Sequence, residues 1–443
     1  MHTDARRYGS LCRPVSVCIC VNLWIVLCGP AQAESAERAY RALEDRFFDL
    51  KLDDGEKPPD VRRAEALRRD LAKVPADGLS AELALHRDLL VWEIDRRLAL
   101  HSLDHPPKAS PSHGPEAARP PPDVRERYAA RLKYEFGVDY GPDELLDRAL
   151  AFWDAAEADL ARTCRRIDPA LPWREVMERL KDDHPAADGL LAVAEEQTGR
   201  AIRFVEKNRL VTIPDYARKI GVRWGDPKAK TPYGHYIPID DHGQGWYVVI
   251  PVDKSLSDEE REERLRSNNV HWTRCVALHE AIPGHHLQFA IAGERESRVE
   301  RMFYNSAYVE GWGLYCEGMM AANGYFGDPR DRASQLKMRL WRAARVIIDL
   351  GTHLGGMTKD EGVELLVDGV GMERTCARDE VDRYVDSPLY YSGYMVGCLE
   401  IEALRADVER REGEDFDLCA FHDRLLAHGP LPFRFVRRLM LGE

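Results

Sequence analysis

From Glu34 to about Leu103, apolar residues recur at three- and four-residue steps. Leu43, Phe47 and Phe48 form one such run, and Leu83, Leu85, Leu89, Leu90 and Trp92 another. That period, set among Ala, Arg and Glu, predicts amphipathic helices. A further stripe of Leu145, Ala149, Phe152, Trp153, Ala156 and Leu160 follows Gly141-Pro142-Asp143-Glu144. Proline at the first helical position and acids in the first turn mark a helix start there, and Asp168-Pro169 marks its end. The period changes at Gly245-Trp246-Tyr247-Val248-Val249-Ile250-Pro251, a β-rich run bounded by glycine and proline. It reads either as an edge strand open to strand addition by a peptide backbone or as a packed core strand. The expected fold class is mostly α with a small β element.

Two segments interrupt this pattern. Arg6, Arg7 and Arg13 precede a mostly apolar run from Val15 to Cys28, and Ala31-Gln32-Ala33 offers a small-x-small cleavage site. This is the layout of a secretory signal peptide over 1–33, and the run is too short to span a membrane. Seven prolines lie between Asp104 and Asp123, and proline donates to neither regular ladder, so 104–124 is expected to be a linker or loop. The expected organisation is therefore a leader over 1–33, a helical region over 34–103, the linker, and a main helical domain over 125–443.

Composition narrows the function. The chain has 63 Lys+Arg against 76 Asp+Glu, a net charge of −13, which leaves no excess to neutralise phosphates, so no nucleic-acid partner is expected. The six cysteines beyond the leader, Cys164, Cys275, Cys316, Cys376, Cys398 and Cys419, contain no C-x-x-C pair. No cysteine zinc site is expected from them, and both disulfide pairing and buried thiols stay open.

The segment richest in chemistry is Val276-Ala277-Leu278-His279-Glu280-Ala281-Ile282-Pro283-Gly284-His285-His286. In the zinc motif H-E-x-x-H, two histidines four apart share one helix face and a glutamate acts on the bound water. Here His285 follows His279 by six residues, about 600° around an ideal helix. His286 follows by seven, which restores the face but adds about 10.5 Å of rise. Neither pair could hold one zinc on a straight helix. Pro283-Gly284 offers a way out, because a break there lets the chain bulge and bring His285 to the place of the second histidine. A helix expected from about Arg298 to Met320 carries Val309-Glu310-Gly311-Trp312-Gly313-Leu314-Tyr315-Cys316-Glu317. Glu310 lies far enough beyond His285 for a loop and a returning helix to present it as third ligand. Two histidines and one glutamate leave a fourth position for water, the catalytic form of a zinc site.

His-Glu-Ala-Ile-Pro-Gly-His-His-Leu-Gln, followed by Glu-Gly-Trp-Gly-Leu-Tyr, resembles the bacterial domain-of-unknown-function 885 family, which in turn resembles helical gluzincin peptidases of the thimet-oligopeptidase and angiotensin-converting-enzyme type. The likeness runs from about Gly137 to the C-terminus and takes in Leu180-Lys181-Asp182-Asp183-His184-Pro185, Leu210-Val211-Thr212-Ile213-Pro214 and Phe421-His422-Asp423. It implies a large helical metallopeptidase-like fold with a deep cleft. It also implies Zn2+ on His279, His285 and Glu310, with Glu280 as general base, and the glycine before His285 favours that residue over His286.

A later cluster, Glu380 to Gly397, contains Arg383 and Tyr394, a cation and a phenol suited to an oxyanion. Related sequences carry Pro-Gly-Gln after the Arg-Tyr pair and a lysine after the later tyrosine. This chain has Pro388-Leu389-Tyr390 and Met395, which implies altered substrate contacts. Arg345, Asp349 and His353 recur every four residues and are expected on one helix face, as a structural network or a support for the zinc. His235 and His242 are not expected to be ligands. The function expected is an exported, periplasmic or secreted zinc peptidase of short peptides, without stable membrane insertion. The alternatives are a zinc hydrolase of another amide or amino-acid conjugate, and a catalytically silent helical binding protein. Cleavage position, native metal and oligomeric state stay open.

Overall fold

The structure, a computed structural model, describes residues 19–50, 60–104, 124–229, 233–240 and 244–442, with side chains from Ala33 onward. Most of the expected leader, residues 105–123 of the proline-rich stretch, and His242 lie outside the described residues. The chain divides into two units, 1–102 and 103–443. In the first, helices Ile19–Asp49, Val61–Lys73 and Ala81–Asp104 bury Tyr40, Leu67, Leu71, Leu89, Leu90 and Ile94. The helix beginning at Val61 is capped by Asp60, whose side chain accepts from the Arg63 amide at 3.1 Å.

The second unit is built on seven principal helices. These are α1 (Pro142–Ile167), α2 (Val270–Glu280), α3 (His285–Gly293), α4 (Ser306–Ala322), α5 (Pro329–Leu350), α6 (Arg374–Asp386) and α7 (Gly393–Glu412). α1 starts at Pro142 and buries Leu145, Ala149, Phe152, Ala156, Leu160 and Cys164, the stripe expected from its period. Along that stripe it packs on α5. α4 is buried on every side, as a helix apolar all round must be. Asn305 caps it by accepting from the amides of Ala307 and Tyr308. α4 and α7 meet backbone to backbone: a Cβ on Gly397 would overlap the Ala307 carbonyl, and one on Gly311 would overlap Gly397 itself.

Three strands, β1 (Ile220–Trp224), β2 (His235–Ile237) and β3 (Gly245–Val249), form one sheet in the order β1-β3-β2. β1 runs parallel to β3 and β2 antiparallel to it, with His235 opposite Val248. β3 is thus the central strand, its backbone engaged on both sides, and the edge-strand reading of Gly245–Pro251 is corrected to core packing. Tyr247, Val248, Val249 and Ile250 are buried accordingly.

Two further expectations are corrected. The helix expected over Arg298–Met320 is broken: a short turn at Arg298–Arg301 is followed by irregular chain, and α4 starts at Ser306. Asn305 explains the break, since its side chain bonds amides of the next helix and its own backbone sits at φ −91°, ψ 106°. The Arg345-Asp349-His353 row also separates. Asp349 pairs with His353 at 2.9 Å and accepts from Tyr128 and Ser392 at 2.7 and 2.6 Å. Arg345 has a longer side chain and reaches Glu380 on α6 at 3.2 Å instead. All six described cysteines are free thiols.

Candidate metal centre

His279 and Glu280 occupy the last turn of α2, which ends at Ala281. The Ile282–Pro283 bond is cis, and α3 begins afresh at His285. The chain folds back so closely that a Cβ on Gly284 would overlap the carbonyls of Leu278 and His279, which no side-chain-bearing residue would permit. α4 holds this turn, Trp312 Nε1 donating to the Pro283 carbonyl at 2.8 Å. What the sequence suggested as a bulge is therefore a full break between two helices.

The break places the His279 and His285 rings 4.8 Å apart and perpendicular. His286 turns the other way: its Nε2 meets the Ala217 carbonyl at 2.9 Å and its Nδ1 the Tyr236 hydroxyl at 3.2 Å. Across from the pair, α4 presents Glu310. Its Oε2 lies 3.2 Å from His285 Nε2 and 3.8 Å from His279 Nε2. Four donors placed tetrahedrally at about 2.0–2.1 Å around zinc are about 3.3 Å from one another, so these separations fit the ion. Glu310 Oε2 and His285 Nδ1 are buried without a hydrogen-bond partner. One donor atom each of His279, Glu280 and His285 also lie within 4.8 Å of one another, which sets Glu280 beside the same point.

Buried carboxylates set the electrostatics around the histidine pair. Burial disfavours a charged His279, yet Glu310 and Glu317 beside it raise its pKa to about 9. Burial raises the Glu280 carboxyl. Burial pushes Glu310 up as well, but His285 and His279 outweigh it and hold that carboxyl well below the ordinary range.

Sequence reasoning assigned no role to three residues here. Glu317 Oε1 lies 2.8 Å from His279 Nδ1, the carboxylate–histidine pairing that fixes the ring with Nε2 toward a metal. Its signal was present, because Glu317 follows Glu310 by seven residues and so shares its face two turns on. Gly313, between them, makes room for the His279 ring, to which a Cβ would come within 2.5 Å. Tyr390 donates to Glu310 Oε1 at 3.3 Å, leaving Oε2 for the centre. It follows Leu389, whose φ of 73° is held by its backbone N–H donating to Asp349 Oδ2 at 3.1 Å. No periodic pattern announces that contact.

The centre opens into a cavity of about 470 Å³. Tyr394 lines it, its ring 6.2 Å from His279 and nearly parallel to it. Arg383 lines it too, ion-paired with Glu380. On another wall Tyr236, Phe289 and Tyr304 form a stacked ladder.

Residues 30–440 match the family described as "Bacterial protein of unknown function (DUF885)". The chain belongs to that family. Among solved structures it is similar to a candidate lipoprotein of unknown function from Shewanella oneidensis. The TM-score is 0.64 at 25% identity, covering 87% of this chain and 74% of that one. It is also similar in fold to a candidate lipoprotein from Colwellia psychrerythraea, with a TM-score of 0.65 at 22% identity, covering 92% and 69%. No curated protein matches. The DUF885 match takes in both units, and the site described above falls wholly inside it.

Proposed function

We propose that this DUF885 chain is an exported zinc hydrolase that cleaves short peptides, with the likeness to helical gluzincin peptidases extending to mechanism. The observation that carries the reading is the convergence of His279 Nε2, His285 Nε2 and Glu310 Oε2 at zinc-ligand spacing, with Glu280 alongside. When bound, zinc supplies Lewis acidity and lowers the pKa of a water at the open position.

Glu280, its pKa raised by burial, takes a proton from the water that attacks the amide carbonyl and passes it to the leaving nitrogen. Tyr394 donates to the carbonyl oxygen as charge develops there. Its hydroxyl stays protonated, since burial foremost, with Glu310 adding, raises its pKa well above 10. Glu317 holds the His279 ring and Tyr390 holds the Glu310 carboxylate. The cavity admits a short peptide segment. Its aromatic walls supply contact area for side chains, and the −13 charge argues against nucleic-acid partners.

Export is supported by the signal-like 1–33 segment and by the candidate-lipoprotein relatives. Among the described residues no helix is long and apolar enough to cross a membrane. The test is metal content together with turnover of a peptide library. About one zinc per chain, lost in His285→Ala and kept in His286→Ala, with hydrolysis abolished in Glu280→Gln, is the expected result. Protein that takes up no zinc, or zinc-loaded protein without turnover of any peptide, would move the reading to a silent binding protein or a hydrolase of other amides.

A further inference from the structure

Guanidinium groups crowd one end of the cavity. Arg342, Arg345 and Arg383 all line it, and the first two are each only 4% exposed. Arg345 lies over the Trp341 and Tyr394 rings at 4.0 and 4.4 Å. It donates Nε to the Tyr384 hydroxyl and Nη2 to Glu380, both at 3.2 Å, and its Nη1 has no partner. Arg383 pairs with the same Glu380 through Nη2, leaves its buried Nε unpaired, and keeps its side chain 25% exposed. Arg342 reaches Glu317 at 3.5 Å and leaves Nε and Nη1 unpaired.

Buried donors without an acceptor are costly, so arginines that line a cavity with part of their donor capacity unused, Arg383 a quarter exposed among them, can turn to an incoming acceptor. The fork of a guanidinium matches a carboxylate. Charge agrees: with a divalent ion on the histidines and Glu310, the ion and three arginines exceed Glu280, Glu310, Glu317 and Glu380 by one positive charge. Arg345 stays protonated, as a guanidinium does throughout the ordinary pH range, with the Glu380 carboxylate 3.2 Å from its Nη2.

We propose that Arg345 and Arg383 bind a carboxylate of the substrate, so that the enzyme selects peptides carrying one close to the cleaved bond. Arg345 contacts the Tyr394 ring, which stacks on His279, so its guanidinium lies within about 11 Å of the His279 ring, a reach of about three extended residues. The carboxylate is a free C-terminus or an acidic side chain within that reach. The inference rests on the peptide reading above.

The test is calorimetric binding to zinc-loaded Glu280→Gln protein. The probes are acetyl-Ala-Ala-Phe as acid and as amide, and acetyl-Ala-Glu-Phe amide beside acetyl-Ala-Gln-Phe amide. At least one carboxylate-bearing member should bind about ten- to a hundredfold tighter than its neutral twin, and the pair that shows it identifies the source. Arg383→Gln should bring that ratio close to one, and Arg383→Lys should restore part of it. Equal affinity within both pairs, no detectable binding, or a preference that survives Arg383→Gln overturns the proposal. Should Arg383→Gln fail to fold, the ratios in Glu280→Gln alone decide. Cleavage of the same peptides by wild-type protein is read separately: a carboxylate preference without cleavage overturns the peptidase reading and keeps the anion site.

Discussion

Gly313→Ala tests the proposed metal centre without replacing a ligand. An added Cβ on α4 would stand 2.5 Å from His279 Cε1, 2.6 Å from its Nε2 and 2.8 Å from its Nδ1. Ordinary contact needs about 3.5 Å, so the ring must retreat by about 0.7–1 Å. It has little room to do so, with Glu317 bonded at 2.8 Å on one side and the His285 ring 4.8 Å away on another. A donor moved that far no longer shares a tetrahedron with Glu310 Oε2, now 3.8 Å from it. The expected loss in zinc affinity is at least about a hundredfold, beyond what removing a supporting partner costs. Overpacking costs about 1–3 kcal/mol and alanine regains about 1 kcal/mol over glycine in a helix interior, so the metal-free protein should fold and melt no more than a few degrees below wild type. Chelator competition measures the affinity and circular dichroism the melting. Wild-type zinc affinity in a folded Gly313→Ala protein would refute the placement of His279.

Glu317→Gln keeps an acceptor but removes the charge behind His279, and should weaken zinc about ten- to a hundredfold by the same competition assay. Tyr390→Phe should weaken zinc more mildly, and combined with Asp349→Asn the two effects should be less than additive, since Asp349 acts by holding the Leu389–Ser392 turn; full additivity in the cycle would contradict this. Lys337 donates to the Gly371 carbonyl at 2.8 Å, and burial, with Lys181 adding, lowers its pKa to about 7. The unfolded chain, with lysine near 10.5, binds more protons between pH 7 and 10.5, so this group makes stability rise with pH across that window, by at most about 1.4 kcal/mol per unit. Urea titrations at pH 7 and 9.5 should show Lys337→Met gaining most over wild type at pH 7; an equal difference at both would contradict the assignment.

Helix periods were legible because burial along a regular helix repeats in sequence, and α1 follows its stripe from Pro142 to Cys164. Glu310 was legible beside the histidines by residue type. The path of 281–284 was not, since a cis bond and a folded-back glycine leave no period, and only the pairing of His286 with Ala217 and Tyr236 shows which way it turns. Glu317 carried the right spacing but looked like any helix glutamate until His279 was seen against it. β3 read as a strand, yet its central position depends on β1 and β2 arriving from elsewhere in the chain, and both are short. Arg345 and Asp349 shared a face, but side-chain length sent them to different partners.

The glycine seam between α4 and α7 bears on how members of such a family can diverge. α4 carries Glu310 and α7 carries Tyr394, and the two backbones touch at Ala307, Gly311 and Gly397. Neither helix can slide past the other except in steps approaching a whole turn, about 5.4 Å, and any larger residue at the seam drives them apart. On the proposed reading, changes in substrate preference are expected away from this seam, at Tyr304, which is 58% exposed, and at β2 on the sheet edge. New side chains at those positions leave the spacing between α4 and α7 untouched.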